Sequence, residues 1–116
     1  MASLDWYIFD EGATLGAEGS EYGSIVRDEE HALGARITLE RDTHTAPFAI
    51  TCGVYGWMMH TRFFQSEVEA NAEYDRMRTA LTELLATAPQ DDSGTMSFTD
   101  RISAFVAAYP LTNLST

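Results

Sequence analysis

The chain has 116 residues, one domain by length, and carries 18 Asp and Glu against 7 Arg and no Lys, a net charge of −11. Such a balance argues against nucleic acid and anionic membrane surfaces as partners. A single cysteine, Cys52, excludes an internal disulfide and suits a reducing compartment. The opening residues Met1 to Asp5 lack a basic region followed by a long apolar one, so no signal peptide is expected. No apolar run approaches the ~20 residues of a membrane span. The expected location is therefore cytoplasmic. The use of Arg in place of Lys points to a GC-rich bacterial or archaeal genome, with adaptation to high salt as the alternative.

Trp6–Phe9 is aromatic and β-prone and reads as a first strand. Residues 10–23 contain Gly12, Gly16, Gly19 and Gly23 among small and acidic residues, which predicts a flexible loop. Two strands follow, 24–31 and 35–41, joined near Leu33-Gly34. The second alternates Ala35, Ile37 and Leu39 with Arg36, Thr38 and Glu40, the period of a strand with one wet face. Pro47 closes a turn over 43–47 and restricts Ala46 to an extended backbone.

The run from Phe48 to Phe64 is too long for an ordinary strand. It reads as a hairpin with Gly53-Val54-Tyr55-Gly56 at its tip, the alternative being one long bent strand. That tip pairs Cys52 with Trp57, Ile50 with Met59 and Phe48 with Thr61. One face then carries Phe48, Ile50, Cys52, Trp57, Met59 and Phe63, an apolar core face. The other carries Ala49, Thr51, Met58, His60, Arg62 and Phe64.

Ser66-Glu67-Val68-Glu69 is a capping box opening a helix over 66–87. Ala70, Tyr74, Met77, Leu81, Leu84 and Leu85 form its apolar stripe, with Glu69, Glu73, Arg76 and Glu83 facing water. A polar link at 88–96 leads to a shorter helix, 97–109, burying Phe98, Ile102, Phe105, Val106 and Tyr109. The expected fold is α+β: an antiparallel meander of four to five strands with two C-terminal helices packed on one face.

No catalytic constellation or cofactor motif emerges. The glycine spacing in 12–23 matches no phosphate-binding fingerprint, and Glu11, Glu18 and Glu21 would repel a phosphate. Asp10-Glu11 and Asp28-Glu29-Glu30 read as solvated carboxylates. No metal-ligand spacing is present, and the best seed would be Asp42 with His44 at a turn. In the proposed register Cys52 and His60 lie on opposite faces, which separates the one thiol from a base.

Three classes of function remain. The leading reading is a non-enzymatic interaction or regulatory domain acting as a homodimer, its interface formed by Thr51, Met58, His60, Arg62 and Phe64. A two-fold contact is the commonest cover for such a half-apolar face. The second is a small-molecule-binding domain or minor enzyme, with Tyr55, Trp57, His60 and Arg62 lining a pocket and Arg62 holding a small anionic ligand. The third is an acidic inhibitor of a basic partner, of the immunity or DNA-mimic kind.

Overall fold

The structure, a computed structural model, describes residues 5–88 and 95–110. Five antiparallel strands, β1 (Trp6–Ile8), β2 (Ser24–His31), β3 (Ala35–Arg41), β4 (Phe48–Val54) and β5 (Met58–Phe64), form a meander in sequence order. Helices α1 (Glu67–Leu85) and α2 (Thr95–Ala108) pack on one face, as the apolar patterns predict. Most of the polar link falls on residues outside the described set. Among the described residues no helix is long and apolar enough to cross a membrane.

Helix α1 begins where its capping signal places it. The Ser66 hydroxyl accepts from the Glu69 amide at 3.0 Å, which satisfies one of the free N–H groups of the first turn. Ala70, Tyr74, Met77, Leu81, Leu84 and Leu85 are buried against Ile37, Leu39, Ile50 and Cys52 of the sheet. Side chains of β2 pin the same helix. Tyr74 Oη donates to Glu29 at 2.8 Å, Arg78 reaches Glu29, and Arg27 bonds Asn71 and Asp75. Trp6 Nε1 donates to Thr82, which fastens the short strand β1 to α1.

The 48–64 run is a hairpin, but its tip lies further along than expected. Gly53 belongs to β4, and the turn is Val54-Tyr55-Gly56-Trp57, closed by a bond from the Trp57 amide to the Val54 carbonyl. Gly56, at φ +81°, supplies the positive φ that the third position of a type II turn requires. The register therefore pairs Cys52 with His60, Ile50 with Arg62 and Phe48 with Phe64. This moves every β5 partner by three residues, an odd number, so the side chains of β5 change faces. Met58, His60, Arg62 and Phe64 lie under the helices, and Met59, Thr61 and Phe63 turn outward. The dimer face proposed from Met58, His60, Arg62 and Phe64 is thus occupied by the protein's own helices.

The same correction explains Glu73. Expected on the wet side of α1, it is 9 % exposed and pairs with Arg62 at 2.8 Å. Arg62 also donates to the Pro110 carbonyl, and His60 Nε2 meets the Tyr109 carbonyl, so β5 holds the end of α2. A buried ion pair adds little against an apolar substitute, but removing one member strands the other charge. Glu73→Ala should therefore cost ~3–5 kcal/mol in denaturant unfolding, far more than an exposed helix carboxylate such as Glu83.

A candidate binding cavity on the outer sheet face

The face turned away from the helices is not simply wet. Residues 9–23 fold back across it. The Gly16 amide donates to the Ile25 carbonyl and the Ile25 amide to the Ala17 carbonyl, while Glu18 bridges to Ser24. The segment expected to be a free loop is thus a roof hydrogen-bonded to β2. Between roof and sheet lies a cavity of about 590 Å³. Thr38 and Glu40 of β3, Thr51 and Gly53 of β4 and Met59 of β5 contribute to its wall.

Two buried carboxylates hold the roof. Asp28, 1 % exposed, accepts from four donor atoms: Arg36 Nε at 2.9 Å and Nη2 at 2.6 Å, Thr14 Oγ1 at 2.7 Å and Thr38 Oγ1 at 3.0 Å. Thr14 belongs to the roof, so this network ties it to β2 and β3. Arg36 also lies under the Phe9 ring, 3.7 Å from its centroid, a cation–π contact that fixes the start of the roof. Hydrogen bonding to Asp28 raises the guanidinium's pKa above its ordinary value. Arg36 Nη1 makes no hydrogen bond to the described residues.

Glu40 is the second anchor. Its carboxyl group accepts from the amides of Glu21 and Gly23, at 3.1 Å and 3.0 Å to Oε1. A Cβ at position 19 would collide with the Glu40 carboxylate, and one at position 23 with the Arg41 carbonyl. Gly19 and Gly23 are there because the chain passes so close to the sheet. Burial pushes the Glu40 carboxyl above the usual carboxylate range, and the two amide bonds oppose that only in part.

At the rim, Glu30 accepts from Tyr7 Oη at 2.8 Å and Tyr55 Oη at 2.6 Å. These two bonds hold its pKa below the ordinary value and orient the Tyr55 ring. The Ser20 and Thr51 hydroxyls of the wall are 3.5 Å apart, and Thr51 in turn is 3.3 Å from the Thr61 hydroxyl of β5.

Of the four pocket residues expected from the sequence, only Tyr55 borders the cavity. Trp57 packs edge-on against Phe98 of α2, with centroids 4.7 Å apart, while His60 and Arg62 face the helices. Arg62 is engaged by Glu73 and Pro110 and is not placed to hold an anionic ligand. Thr51, expected at an interface, contributes to the cavity wall; Met58, expected there too, packs at the start of β5 against the helix-side core and also touches the cavity lining, whereas Phe64 is fully buried. Cys52 and His60, expected on opposite faces, are register partners on the helix-covered face. Burial pushes the Cys52 thiol up to about 12, which removes its nucleophilic form at neutral pH. Among the described residues no three His, Cys, Asp or Glu side chains converge in a metal-binding set, Asp42 and His44 included.

Thr14, Arg36, Thr38 and Glu40 carry no motif that marks them as site residues in the sequence. The β3 alternation does place Arg36, Thr38 and Glu40 on one face, but the pattern alone reads as solvent exposure. A signal was present in the four glycines of 12–23, which permit close approach to a sheet as readily as they permit mobility.

No protein-family model, curated protein or solved structure matches this chain.

The Glu40 anchor has a pH signature. Its folded pKa lies above the unfolded value, so its contribution to stability is full below about pH 4.5 and is lost as pH rises through the folded pKa. Glu40→Gln keeps an acceptor for the Glu21 and Gly23 amides without the buried charge. The melting temperature of this variant relative to the unmodified protein should therefore rise between pH 4.5 and pH 7. A constant difference across that range would show that Glu40 is not desolvated.

Proposed function

We propose that this protein is a binding domain for a small organic ligand held between the outer sheet face and the 9–23 roof. The observation that carries this reading is the cavity itself. Its volume of about 590 Å³ falls within the roughly 300–1,000 Å³ typical of small-molecule sites. Its chemistry supports the reading too. Apolar wall atoms from Ile25, Val54 and Met59 are interrupted by a few fixed polar groups: Arg36, the Thr38 and Thr51 hydroxyls, and Glu18 at the mouth. A ligand with an apolar body and one or two hydrogen-bonding groups fits that distribution. The Asp28 network pre-orders the guanidinium and Thr38, so ligand binding would cost little side-chain entropy there.

Titration with mixed polar–apolar fragments, followed by amide chemical shifts, tests the reading. The expected outcome is a cluster of shifts at Ala17–Ser20, Thr38, Thr51 and Gly53, abolished in a Thr51→Phe variant that fills the cavity. Shifts confined to the exposed side of α1, or unchanged by Thr51→Phe, would place binding elsewhere and contradict it.

A further inference from the structure

We infer that β5 is a homodimerisation edge, joining two copies of this chain through antiparallel pairing of β5 with β5 of the second copy into one ten-stranded sheet. Among the described residues, β5 is hydrogen-bonded on one side only, to β4. It is seven residues long, whereas the opposite edge strand, β1, has three. An open edge of that length presents unpaired backbone groups and usually carries a guard such as proline, lysine, a bulge or an inward-pointing charge that pairing would leave unmatched. Met58-Met59-His60-Thr61-Arg62-Phe63-Phe64 contains no proline or lysine, and its pairing with β4 is free of bulges. Its one formal charge, Arg62, points inward and is already matched by Glu73, so it does not guard the edge.

Charge identifies the occupant. A chain at −11 repels its own copies wherever its carboxylates come together. Those carboxylates are unevenly placed. None occurs between Asp42 and Glu67, so β4 and β5 are free of them, and none follows Asp100 in the sequence. Tyr109 and Pro110, which follow α2, are held by His60 and Arg62 of β5 and add no carboxylate to that side. At the other side of the sheet, β2 carries Asp28, Glu29 and Glu30, and the roof carries Asp10, Glu11, Glu18 and Glu21. Helix α1 carries Glu67, Glu69, Asp75 and Glu83 as well, but pairing at β5 keeps the acidic β2 and roof side of each copy at the far side of the sheet from the other copy, where screening at physiological salt acts over ~8 Å.

A two-fold axis at Thr61, the middle of the strand, sets Met59 opposite Phe63 of the second copy and Thr61 opposite itself. Met59 is 77 % exposed in the single chain, and Phe63 is partly so. Apolar cross-strand pairs of this kind add to the backbone bonds, and a self-complementary contact closes without growing into a fibre. Both cavities would then open on the same side of the continuous sheet, with all four helices on the other.

Light scattering coupled to gel filtration, at tens of micromolar protein, tests the proposal. The expected mass is twice the 12.9 kDa of one chain. Thr61→Glu sets like charges against each other at the axis and should return the monomer mass with an unchanged circular-dichroism spectrum. Should that variant misfold, Met59→Glu, at an exposed side chain, should give the same loss of the dimer. Leu33→Glu, at the exposed turn between β2 and β3, should leave the dimer intact. A monomeric unmodified protein, or a dimer that survives both Thr61→Glu and Met59→Glu, would overturn the proposal.

Discussion

Two carboxylates without access to water govern the outer face of this sheet. An ionised group taken out of solvent must be met by donors, or its charge is lost to protonation. Asp28 is met by a guanidinium and two threonine hydroxyls, and Glu40 by two backbone amides. In each case at least one donor belongs to residues 9–23. The roof is thus held by the demand of the sheet for hydrogen-bond donors more than by apolar burial. It is fastened to β2 through Asp28 and to β3 through Glu40, and Ser20 reaches the Thr51 hydroxyl of β4. The cavity is the space left beneath it.

The helix face follows the same logic with cations in place of amides. Five of the seven arginines, Arg27, Arg36, Arg62, Arg76 and Arg78, form ion pairs with carboxylates of this chain. Arg62 with Glu73 joins β5 to α1, and Arg78 with Glu29 joins α1 to β2. Exposed pairs of this kind are worth little individually, and the partly buried Arg62–Glu73 contact matters mainly as a constraint on which elements meet. Engaging the scarce cations internally leaves the acidic roof and β2 side of the molecule with a net negative surface. Strands β4 and β5, by contrast, carry no carboxylate.

The fold was largely legible in the sequence because its signals are local. The capping box at Ser66–Glu69 and the i, i+3, i+4 stripe of α1 read directly onto the structure, as do the β3 alternation and the antiparallel order of strands. The candidate site was less legible, for two physical reasons. The hairpin carries two glycines, Gly53 and Gly56, and only backbone geometry reveals that Gly56 alone takes a positive φ. Reading both as turn residues displaced β5 by an odd number, which exchanged its faces and assigned His60 and Arg62 to the wrong layer. Polar alternation, moreover, does not distinguish water from a polar network. Arg36, Thr38 and Glu40 satisfy a wet-face pattern, yet Thr38 and Glu40 are buried: Thr38 donates to Asp28 of β2, and Glu40 accepts from the Glu21 and Gly23 amides of a segment distant in sequence. Glu73 was misplaced for the same reason: its partner Arg62 sits on another element.

Buried carboxylates hold residues 9–23 as a fixed roof over the sheet. Native-state hydrogen exchange of the Glu21 and Gly23 amides measures this directly, since both donate to Glu40 and to no strand partner. Both amides should be protected to a degree comparable to the Ile25 amide, which is bonded to Ala17, and should lose that protection in Glu40→Ala. Exchange of Glu21 and Gly23 at the rate of an unstructured peptide in the unmodified protein would contradict it.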